Sequence, residues 1–324
     1  MLGIGLAGLG IHGYRYARHL LAGDVPGLRL AAVSRRDERE GQAFALAHGV
    51  AFARDPRDLP AVPGVDAVVA ALPAALHPGV AAACLDRGIP VLLEKPLAPD
   101  PGAAAEIARR SEASGVPVMV AHTLRFDAVV RRMREEAAAL GRIDAVCVDQ
   151  HFEPGGRDWH DDPRSGGVLL NTAVHGFDLL RHLTGLEPLE VACFASRRLT
   201  RVTEDSAVAI VRLGDRGVVG AVRSARTTAG RLGRIEIVGE RGVLTGDHVH
   251  RTLRSTCGRE TADLGPIAPS PTLPATLAAF AACILDGAPP AVSAHEGLLA
   301  VLCVEAAKRS AAEDRSVTIQ EVRP

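Results

Sequence analysis

The stretch LGIGLAGLGIHG at residues 2–13 decides how the first half of the chain folds. It opens with a short apolar run typical of a buried strand, and residues 14–21 then carry apolar side chains at helical spacing. Between these two segments, Gly8, Gly10 and Gly13 form the pattern G-x-G-x-x-G. This pattern between a strand and a helix is typical of proteins that bind the pyrophosphate of a dinucleotide.

A second set of glycines overlaps the first, because Gly3, Gly5 and Gly8 have the same spacing. We choose the register that starts at Gly8, since only this one follows a strand and opens a helix. In this register Gly8 makes the tight turn, Gly10 lets a pyrophosphate approach the backbone amides, and Gly13 lets the helix pack on the strand. An ordinary tight turn is the alternative interpretation. The predicted coenzyme contacts of the turn are Gly8, Leu9, Gly10, Ile11, His12 and Gly13.

Strand and helix patterns alternate as far as residue 120. Further strands are predicted at residues 28–33, 65–72, 91–93 and 116–120, with helices at 37–47, 74–87 and 102–114. Continuous apolar strands joined by helices predict a parallel sheet that is covered on both faces. After residue 121 the alternation stops, and period-2 segments predict a region rich in sheet. The fold class is therefore α/β, with a doubly wound Rossmann domain at residues 1–121 and an α+β domain at residues 122–324.

The composition excludes several classes of protein. The chain has 324 residues, 37 basic and 38 acidic side chains, and only 3% aromatic residues, so it lacks the positive charge and the stacking platforms of nucleic-acid binders. No apolar stretch is long enough for a bilayer, and no basic leader follows Met1. The six cysteines are scattered singly and the histidines have no ligand-like grouping, which predicts a reducing compartment and no metal site. We expect a cytoplasmic protein without nucleic-acid or membrane partners.

The end of the second predicted strand bears on the choice of coenzyme. NAD-binding proteins usually carry Asp or Glu there, which accepts a hydrogen bond from the 2'-hydroxyl of the adenine ribose. This chain has Ser34, Arg35 and Arg36 instead. Because a hydroxyl and a guanidinium suit a 2'-phosphate that a carboxylate repels, we predict NADP as the preferred coenzyme and NAD as the alternative. In the other interpretation both arginines are solvated and Asp37 only caps the next helix.

Only two of the 37 basic residues are lysines, Lys95 and Lys308. Lys95 follows a buried strand within the tripeptide Glu94-Lys95-Pro96, at the carboxyl edge of the sheet where ligands of such folds bind. A lysine, unlike an arginine, can lose its proton near neutral pH when its surroundings lower its pKa. We predict that Lys95 is catalytic, and a simple surface lysine is the alternative.

One helix in the second half is informative, and it is predicted over residues 167–184. Asn171, His175, Asp178 and His182 fall on one face, at spacings that match the turns of a helix. The rest of the helix is apolar almost all round, so we expect this polar stripe to line a wet cleft. Histidine exchanges protons near neutral pH, which makes His175 the candidate acid–base residue. A buried structural histidine is the alternative.

Taken together, these motifs resemble a known family. They comprise the turn at residues 8–13, the strand at 65–69 that leads to Pro73 and His77, the tripeptide at 94–96, and Gly166-Gly167 followed by His175. Their order and spacing are similar to those of the glucose-fructose oxidoreductase/inositol dehydrogenase (Gfo/Idh/MocA) family. The resemblance implies a nicotinamide coenzyme, a polyol-like substrate, and a second domain whose large, open, mainly antiparallel sheet packs into a homodimer or homotetramer.

The resemblance also implies roles for single residues. Lys95 and His175 contact the substrate hydroxyl, and the aspartate usual four residues before the histidine is here Asn171, which we assign to substrate hydrogen bonding. Asp178 either orients His175 or is structural. The other predicted coenzyme contacts are Ser34, Arg35, Arg36, Leu72, Pro73, His77, Glu94, Lys95 and His122. The other predicted substrate contacts are Asp178, His160, Trp159 and Arg125.

We therefore predict an NAD(P)-dependent oxidoreductase that transfers a hydride between nicotinamide and the alcohol or carbonyl carbon of a sugar, cyclitol or related polyol. In this prediction, Lys95 and His175 accept and return the proton of the substrate hydroxyl. The alternative is a non-catalytic, nicotinamide-bound sensor or regulatory protein on the same scaffold, for which Asn171 is the main support. A third possibility is cleavage of a glycoside with help from the coenzyme.

Overall fold

The computed structural model describes residues 1–154, 161–162 and 166–324. These residues form two compact units. The first unit comprises residues 1–123 and 271–298, and the second comprises residues 124–270 and 299–324. None of the described helices has the length and apolar character that a membrane crossing requires.

The first unit is built on a parallel sheet. Its described strands are β1 (Leu2–Ala7), β2 (Leu28–Ser34), β3 (Ala51–Ala53), β4 (Ala67–Ala70), β5 (Val91–Glu94) and β6 (Val118–Ala121). They lie in the order β3-β2-β1-β4-β5-β6. The strand order reverses beside β1, and doubly wound sheets bind ligands at the carboxyl ends of the strands there. The predicted Rossmann fold is thus confirmed, although the sequence analysis did not predict the short edge strand β3.

The helices differ in how they begin. The described α-helices are α1 (Ile11–Ala22), α2 (Glu38–His48), α3 (His77–Leu85), α4 (Pro101–Ser114), α5 (Ala128–Ala137), α6 (Val174–Thr184), α7 (Thr272–Leu285) and α8 (Ala294–Glu313). Asp37, Asp100 and Asp127 cap α2, α4 and α5, because each carboxylate accepts a hydrogen bond from an amide in the first turn. Helix α1 follows Gly10 and has no such side-chain cap.

The second unit is built on a nine-stranded, mainly antiparallel sheet. Its described strands are β7 (Ile143–His151), β8 (Pro188–Ser196), β9 (Ser206–Leu213), β10 (Val218–Ala225), β11 (Leu232–Gly239), β12 (Gly242–Asp247), β13 (Thr252–Cys257), β14 (Glu260–Asp263) and β15 (Val317–Thr318). They lie in the order β14-β13-β12-β11-β7-β10-β9-β8-β15. Only the pair of β7 and β10 is parallel among these strands. This confirms the second predicted sheet.

The nine-stranded sheet buries one face and exposes the other. Helix α6 contacts β7 and β10, and Val211 of β9 is fully buried. The alternate residues Val208 and Ile210 are 43% and 45% exposed. Phe194 on β8 and Val219 on β10 are also exposed, so the apolar character continues onto the neighbouring strands. The open face therefore carries an apolar patch, a feature that usually marks an interaction surface.

Residues 271–298 belong to the first unit although they follow strands β7–β14 of the second sheet in the sequence. Helix α7 contacts α1, and its residues Leu277 and Phe280 are fully buried. The amide of Val120 in the edge strand β6 donates to the carbonyl oxygen of Val292 at 2.9 Å. The segment thus completes the core of the first unit and covers one edge of its sheet.

Candidate active site

The three glycines of the turn after β1 meet different surroundings. Gly8 has φ +92°, and a Cβ atom there would lie 2.6 Å from the carbonyl oxygen of Ala71. A Cβ atom at Gly13 would lie 1.9 Å from the carbonyl oxygen of Gly8, so α1 packs directly on the turn. At Gly10 nothing lies within 4 Å of the corresponding position. The turn therefore needs glycine for packing at its first and third positions, and it leaves open space at the second, where a pyrophosphate can approach.

The first turn of α1 presents backbone amides without a competing side chain. Gly10 offers no capping group, and the first turn contains no acidic residue. Helices α2, α4 and α5 each use an aspartate for this purpose. Because free amides at a helix N-terminus attract anions, this start of α1 fits the pyrophosphate of a dinucleotide.

The end of β2 lies against the glycine turn. The amide of Gly8 donates to the carbonyl oxygen of Ser34 at 3.0 Å, and Ser34 is buried. Arg35 Nη1 donates to the carbonyl oxygen of Leu9 at 2.5 Å, and the guanidinium also forms an ion pair with Glu40. Arg36 is exposed. A ligand at this strand end can therefore reach the two arginines and the Glu40 carboxylate, of which Glu40 was not predicted from the sequence.

Tyr16 and Glu94 join α1 to the end of β5. The hydroxyl of Tyr16 donates to Glu94 Oε1 at 2.9 Å, and the amide of Lys95 donates to Glu94 Oε2 at 3.2 Å. Burial and the neighbouring carboxylate raise the pKa of Tyr16. Both oxygens of Glu94 are thus engaged by the protein, and they fix the backbone that carries Lys95. Glu94 was a predicted coenzyme contact, which stays a prediction, and Tyr16 was not expected at this site.

Lys95 is half-buried at the carboxyl edge of the first sheet, and its peptide bond to Pro96 is cis. His12 lies in the first turn of α1, and the charges of Glu94 and Lys95 affect the pKa of its ring. Partial burial lowers the pKa of His12, the Glu94 carboxylate opposes this effect, and the Lys95 ammonium adds to it. The hydrogen bond from α1 to Glu94 agrees with this proximity. The glycine turn and Lys95 therefore lie at the same edge of the sheet.

His77 bridges the ends of β4 and β5. Its Nε2 lies 3.1 Å from the carbonyl oxygen of Leu72, and its Nδ1 lies 3.0 Å from that of Pro96. The residue is fully buried, and burial lowers its pKa. The ring thus joins the segments that follow β4 and β5, and its predicted coenzyme contact stays a prediction. Leu72 borders the glycine turn after β1, since its Cδ2 would lie 2.8 Å from a Cβ atom at Gly8. Pro73 is exposed. The coenzyme contacts of these two residues stay predictions.

A π-turn over Leu169–Ala173 precedes α6 in the second unit. Asn171 lies in this turn and is buried, and His175 is half-buried at the start of the α-helix. The sequence analysis predicted one regular α-helix here. The structure instead has the π-turn up to Ala173 and the α-helix from Val174, so the common face of Asn171 and His175 stays a prediction. Such turns are frequent at functional sites.

Arg125 and Asp178 form a buried ion pair within the second unit. Arg125 Nε donates to Asp178 Oδ1 at 3.1 Å and to Oδ2 at 2.9 Å, and Nη2 donates to Oδ1 at 2.5 Å. The two side chains are 6% and 2% exposed. The structure pairs them with each other, since a buried charge needs an opposite partner, and their predicted contacts with a substrate stay predictions. The pair ties the chain before α5 to α6 one turn after His175, so it positions that helix.

The remaining predicted residues are His122, His182, Trp159 and His160. His122 directly follows β6 and is fully buried. His182 Nδ1 lies 3.5 Å from Arg134 Nη1 of α5. Trp159 and His160 lie outside the described residues. Their contact with a substrate stays a prediction.

Two family models match nearly the whole chain. The oxidoreductase family with an NAD-binding Rossmann fold matches residues 2–122, and its C-terminal alpha/beta domain matches residues 136–319. The chain belongs to the Gfo/Idh/MocA oxidoreductase family. Membership confirms the resemblance found in the sequence, and it places the glycine turn and Lys95 inside the NAD-binding module.

Three comparisons show how far the similarity extends. The Myo-inositol 2-dehydrogenase of Thermotoga maritima is 27% identical to this chain, over 98% of this chain and 99% of its own. The Inositol 2-dehydrogenase 1 of Saccharopolyspora erythraea is 32% identical over 75% of this chain and 73% of its own. The crystal structure of a probable dehydrogenase from Thermotoga maritima matches with a TM-score of 0.86 at 27% identity, over 99% of this chain and 100% of that chain. The family's architecture therefore runs through the whole length of this chain.

Proposed function

We propose that the chain is an NAD(P)-dependent dehydrogenase that moves a hydride between the nicotinamide and the CH–OH carbon of a cyclitol or a related sugar. The observation that carries the proposal is the position of Lys95, at the same sheet edge as the open glycine turn. The names of the inositol 2-dehydrogenase relatives support a cyclitol as the substrate.

The residues present fit a nicotinamide dinucleotide. The open space at Gly10 and the uncapped amides of α1 suit its pyrophosphate. Arg35 and Arg36 stand where β2 ends, beside the ribose position of such folds. When bound, the coenzyme supplies the acceptor or donor of the hydride. Side chains of the protein take up and release the protons of the reaction.

Lys95 is assigned to the proton of the substrate hydroxyl. Oxidation of an alcohol removes a hydride from carbon and a proton from oxygen, so a base must receive that proton. A lysine held at a ligand-binding edge is suited to this task, because its amine can exist in both protonation states. Glu94 acts through the backbone, since it accepts from the Lys95 amide while Tyr16 holds its other oxygen.

His175 is assigned to acid–base contact with a substrate hydroxyl, and Asn171 to hydrogen bonding of the polyol. An amide both donates and accepts, so it can bind a hydroxyl but cannot take its proton. The ion pair of Arg125 with Asp178 is assigned to positioning α6, on which His175 lies. Of these groups in the second unit, only His175 is therefore assigned to proton transfer.

NADP is the proposed preferred coenzyme. No carboxylate occupies the end of β2, where a carboxylate would repel a 2'-phosphate. The guanidinium groups of Arg35 and Arg36 are cations suited to that phosphate. The family model describes an NAD-binding Rossmann fold, so NAD stays the alternative coenzyme.

A homodimer or homotetramer is the proposed assembly, joined through the open face of the nine-stranded sheet. The exposed side chains of Phe194, Val208, Ile210 and Val219 support it, because an apolar patch of this kind is stabilised by burial.

All six cysteines are free and four of them are buried. Free thiols suit a reducing compartment, so we place the protein in the cytoplasm.

Lys95→Ala tests the central assignment. Turnover is expected to fall by about 10²- to 10⁴-fold, because an acid–base group contributes about that much. The Kd for the coenzyme, measured by fluorescence titration, is expected to stay within about threefold of wild type. Lys308→Ala is the matched control, since it removes the only other lysine and should leave turnover unchanged. Full turnover in Lys95→Ala would remove the assignment.

A screen of cyclitols and sugars with both coenzymes separates the alternatives. Reduction of the coenzyme by a cyclitol or sugar supports the dehydrogenase. Coenzyme binding without turnover of any compound favours a sensor instead. Product formed without net consumption of coenzyme favours glycoside cleavage.

A further inference from the structure

Arg35 is held from three sides in the first unit. Its Nη1 donates to the carbonyl oxygen of Leu9 in the glycine turn at 2.5 Å. Its Nη2 pairs with the carboxylate of Glu40 in the first turn of α2. Its Cζ lies 5.8 Å from the centre of the Tyr14 ring on α1. The guanidinium is therefore fixed between the glycine turn, α1 and α2 before any ligand arrives.

The start of α2 fixes the position of Glu40. Asp37 caps this helix, and its Oδ1 accepts from the amide of Glu40 itself at 2.9 Å. The backbone of Glu40 is thus set by the cap, and its side chain reaches back to Arg35. The Glu40 side chain is 56% exposed, so a ligand bound at the end of β2 meets this carboxylate as well as the arginine.

The pair of Arg35 and Glu40 interacts differently with a ribose that carries a 2'-hydroxyl and with one that carries a 2'-phosphate. In dinucleotide-binding folds, a carboxylate near the end of β2 accepts from the 2'-hydroxyl of NAD. Here the strand end lacks a carboxylate, but Glu40 brings one to Arg35 from the neighbouring helix. A neutral hydroxyl can donate to Glu40 and accept from Arg35. A 2'-phosphate competes with Glu40 for the guanidinium and is repelled by its charge.

We propose that Glu40 is a specificity-determining residue that limits the preference for NADP and keeps NAD usable. It does so by occupying Arg35 and by placing a negative charge beside the 2'-position of the ribose. This inference rests on the proposed function, because it assumes that a dinucleotide binds at the glycine turn. It goes further by assigning the balance between the two coenzymes to a residue of α2.

Glu40→Gln tests the proposal in the full-length chain. The Kd for NADPH and the Kd for NADH are measured by fluorescence titration at low and at moderate salt. The variant is expected to bind NADPH about tenfold more tightly, because one charge-assisted contact is released to the phosphate. The affinity for NADH is expected to stay equal or to fall. The ratio of the two constants is the decisive quantity, since a general change of the fold moves both together.

Glu38→Gln is the matched control. Glu38 lies in the same first turn of α2, and its carboxylate lies 3.5 Å from Arg54 instead of Arg35. This variant removes the same charge from the same helix and is expected to leave the ratio unchanged. Arg35→Gln is expected to lower the preference for NADPH and to remove most of the effect of Glu40→Gln in the double variant. Glu40→Ala gives the same direction as Glu40→Gln and guards against a failure of one variant to fold.

Two results overturn the inference. One is a ratio that changes no more in Glu40→Gln and Glu40→Ala than in Glu38→Gln. The other is an effect of Glu40→Gln that persists undiminished when Arg35 is replaced. A wild-type chain that binds neither NADH nor NADPH is a separate outcome, since it removes the proposed function and with it the basis of the inference.

Discussion

Helices α1 and α6 both begin at candidate functional residues, but they begin in opposite ways. Helix α1 starts after Gly10, with open space in front of its amides, whereas α6 follows a π-turn whose residues are buried. The first start offers backbone groups, and the second offers the side chains of Asn171 and His175. From this difference we expect coenzyme binding to rest on backbone amides and proton transfer to rest on side chains, so that single substitutions separate the two.

His175→Ala is expected to give the widest separation. Loss of an acid–base side chain lowers kcat by about 10²- to 10⁴-fold, and the Kd for the coenzyme stays unchanged, because the start of α1 is left intact. Steady-state kinetics and fluorescence titration measure the two effects. His182→Ala is the control, since His182 lies on the same helix and is also half-buried. If His175→Ala loses coenzyme affinity as much as turnover, the two helix starts do not have separate tasks.

Asp178→Asn sharpens the comparison by testing how α6 is held. It removes the carboxylate to which the buried Arg125 donates, and breaking such a pair costs about 3 to 5 kcal/mol of unfolding free energy. Denaturant titration measures the loss. Asp149→Asn breaks the more exposed pair of Asp149 with Arg223, at 2.8 Å in the same unit, and is expected to cost about 1 kcal/mol or less. Equal losses in the two variants would contradict the positioning role of the buried pair.

Gly10→Ala is expected to have the smallest effect, confined to the coenzyme. The added methyl group meets no protein atom, and the backbone at φ −76° admits alanine, so stability is retained. The methyl enters the space left for the pyrophosphate, and we expect an affinity about tenfold weaker. In Gly13→Ala the methyl would meet the carbonyl oxygen of Gly8, which lowers thermal stability as well. A stable Gly10→Ala variant with undiminished affinity argues against the pyrophosphate position.

Features that depend on neighbouring residues were predictable. The glycine turn, the alternation of strands with helices and the place of Lys95 after β5 all follow from patterns within a few turns of chain. Their physical basis is local, because periodicity, turn glycines and strand ends act over short distances. The π-turn before α6 was not predicted, since the same residues also suit a regular helix. Strand β3 has only three residues, too few for a periodic pattern.

Contacts between distant residues could not be predicted. Tyr16 and Glu94 are 78 positions apart, and Arg125 and Asp178 are 53 apart. No local pattern pairs such residues, because the fold alone brings them together. Glu40 is a partial exception. An acidic residue in the first turn of the helix after Arg35 is a signal that a closer inspection of charge spacing would have found.

The return of residues 271–298 to the first unit has a consequence for synthesis on the ribosome. All six strands of the parallel sheet are translated early, but α7 and the carbonyl group that pairs with β6 follow only after strands β7–β14 of the second unit. Until then the nascent chain shows the apolar surface that α7 later covers, which leaves it open to misassembly with other chains. The first unit is thus the first to be synthesised, but its core is completed only late in translation.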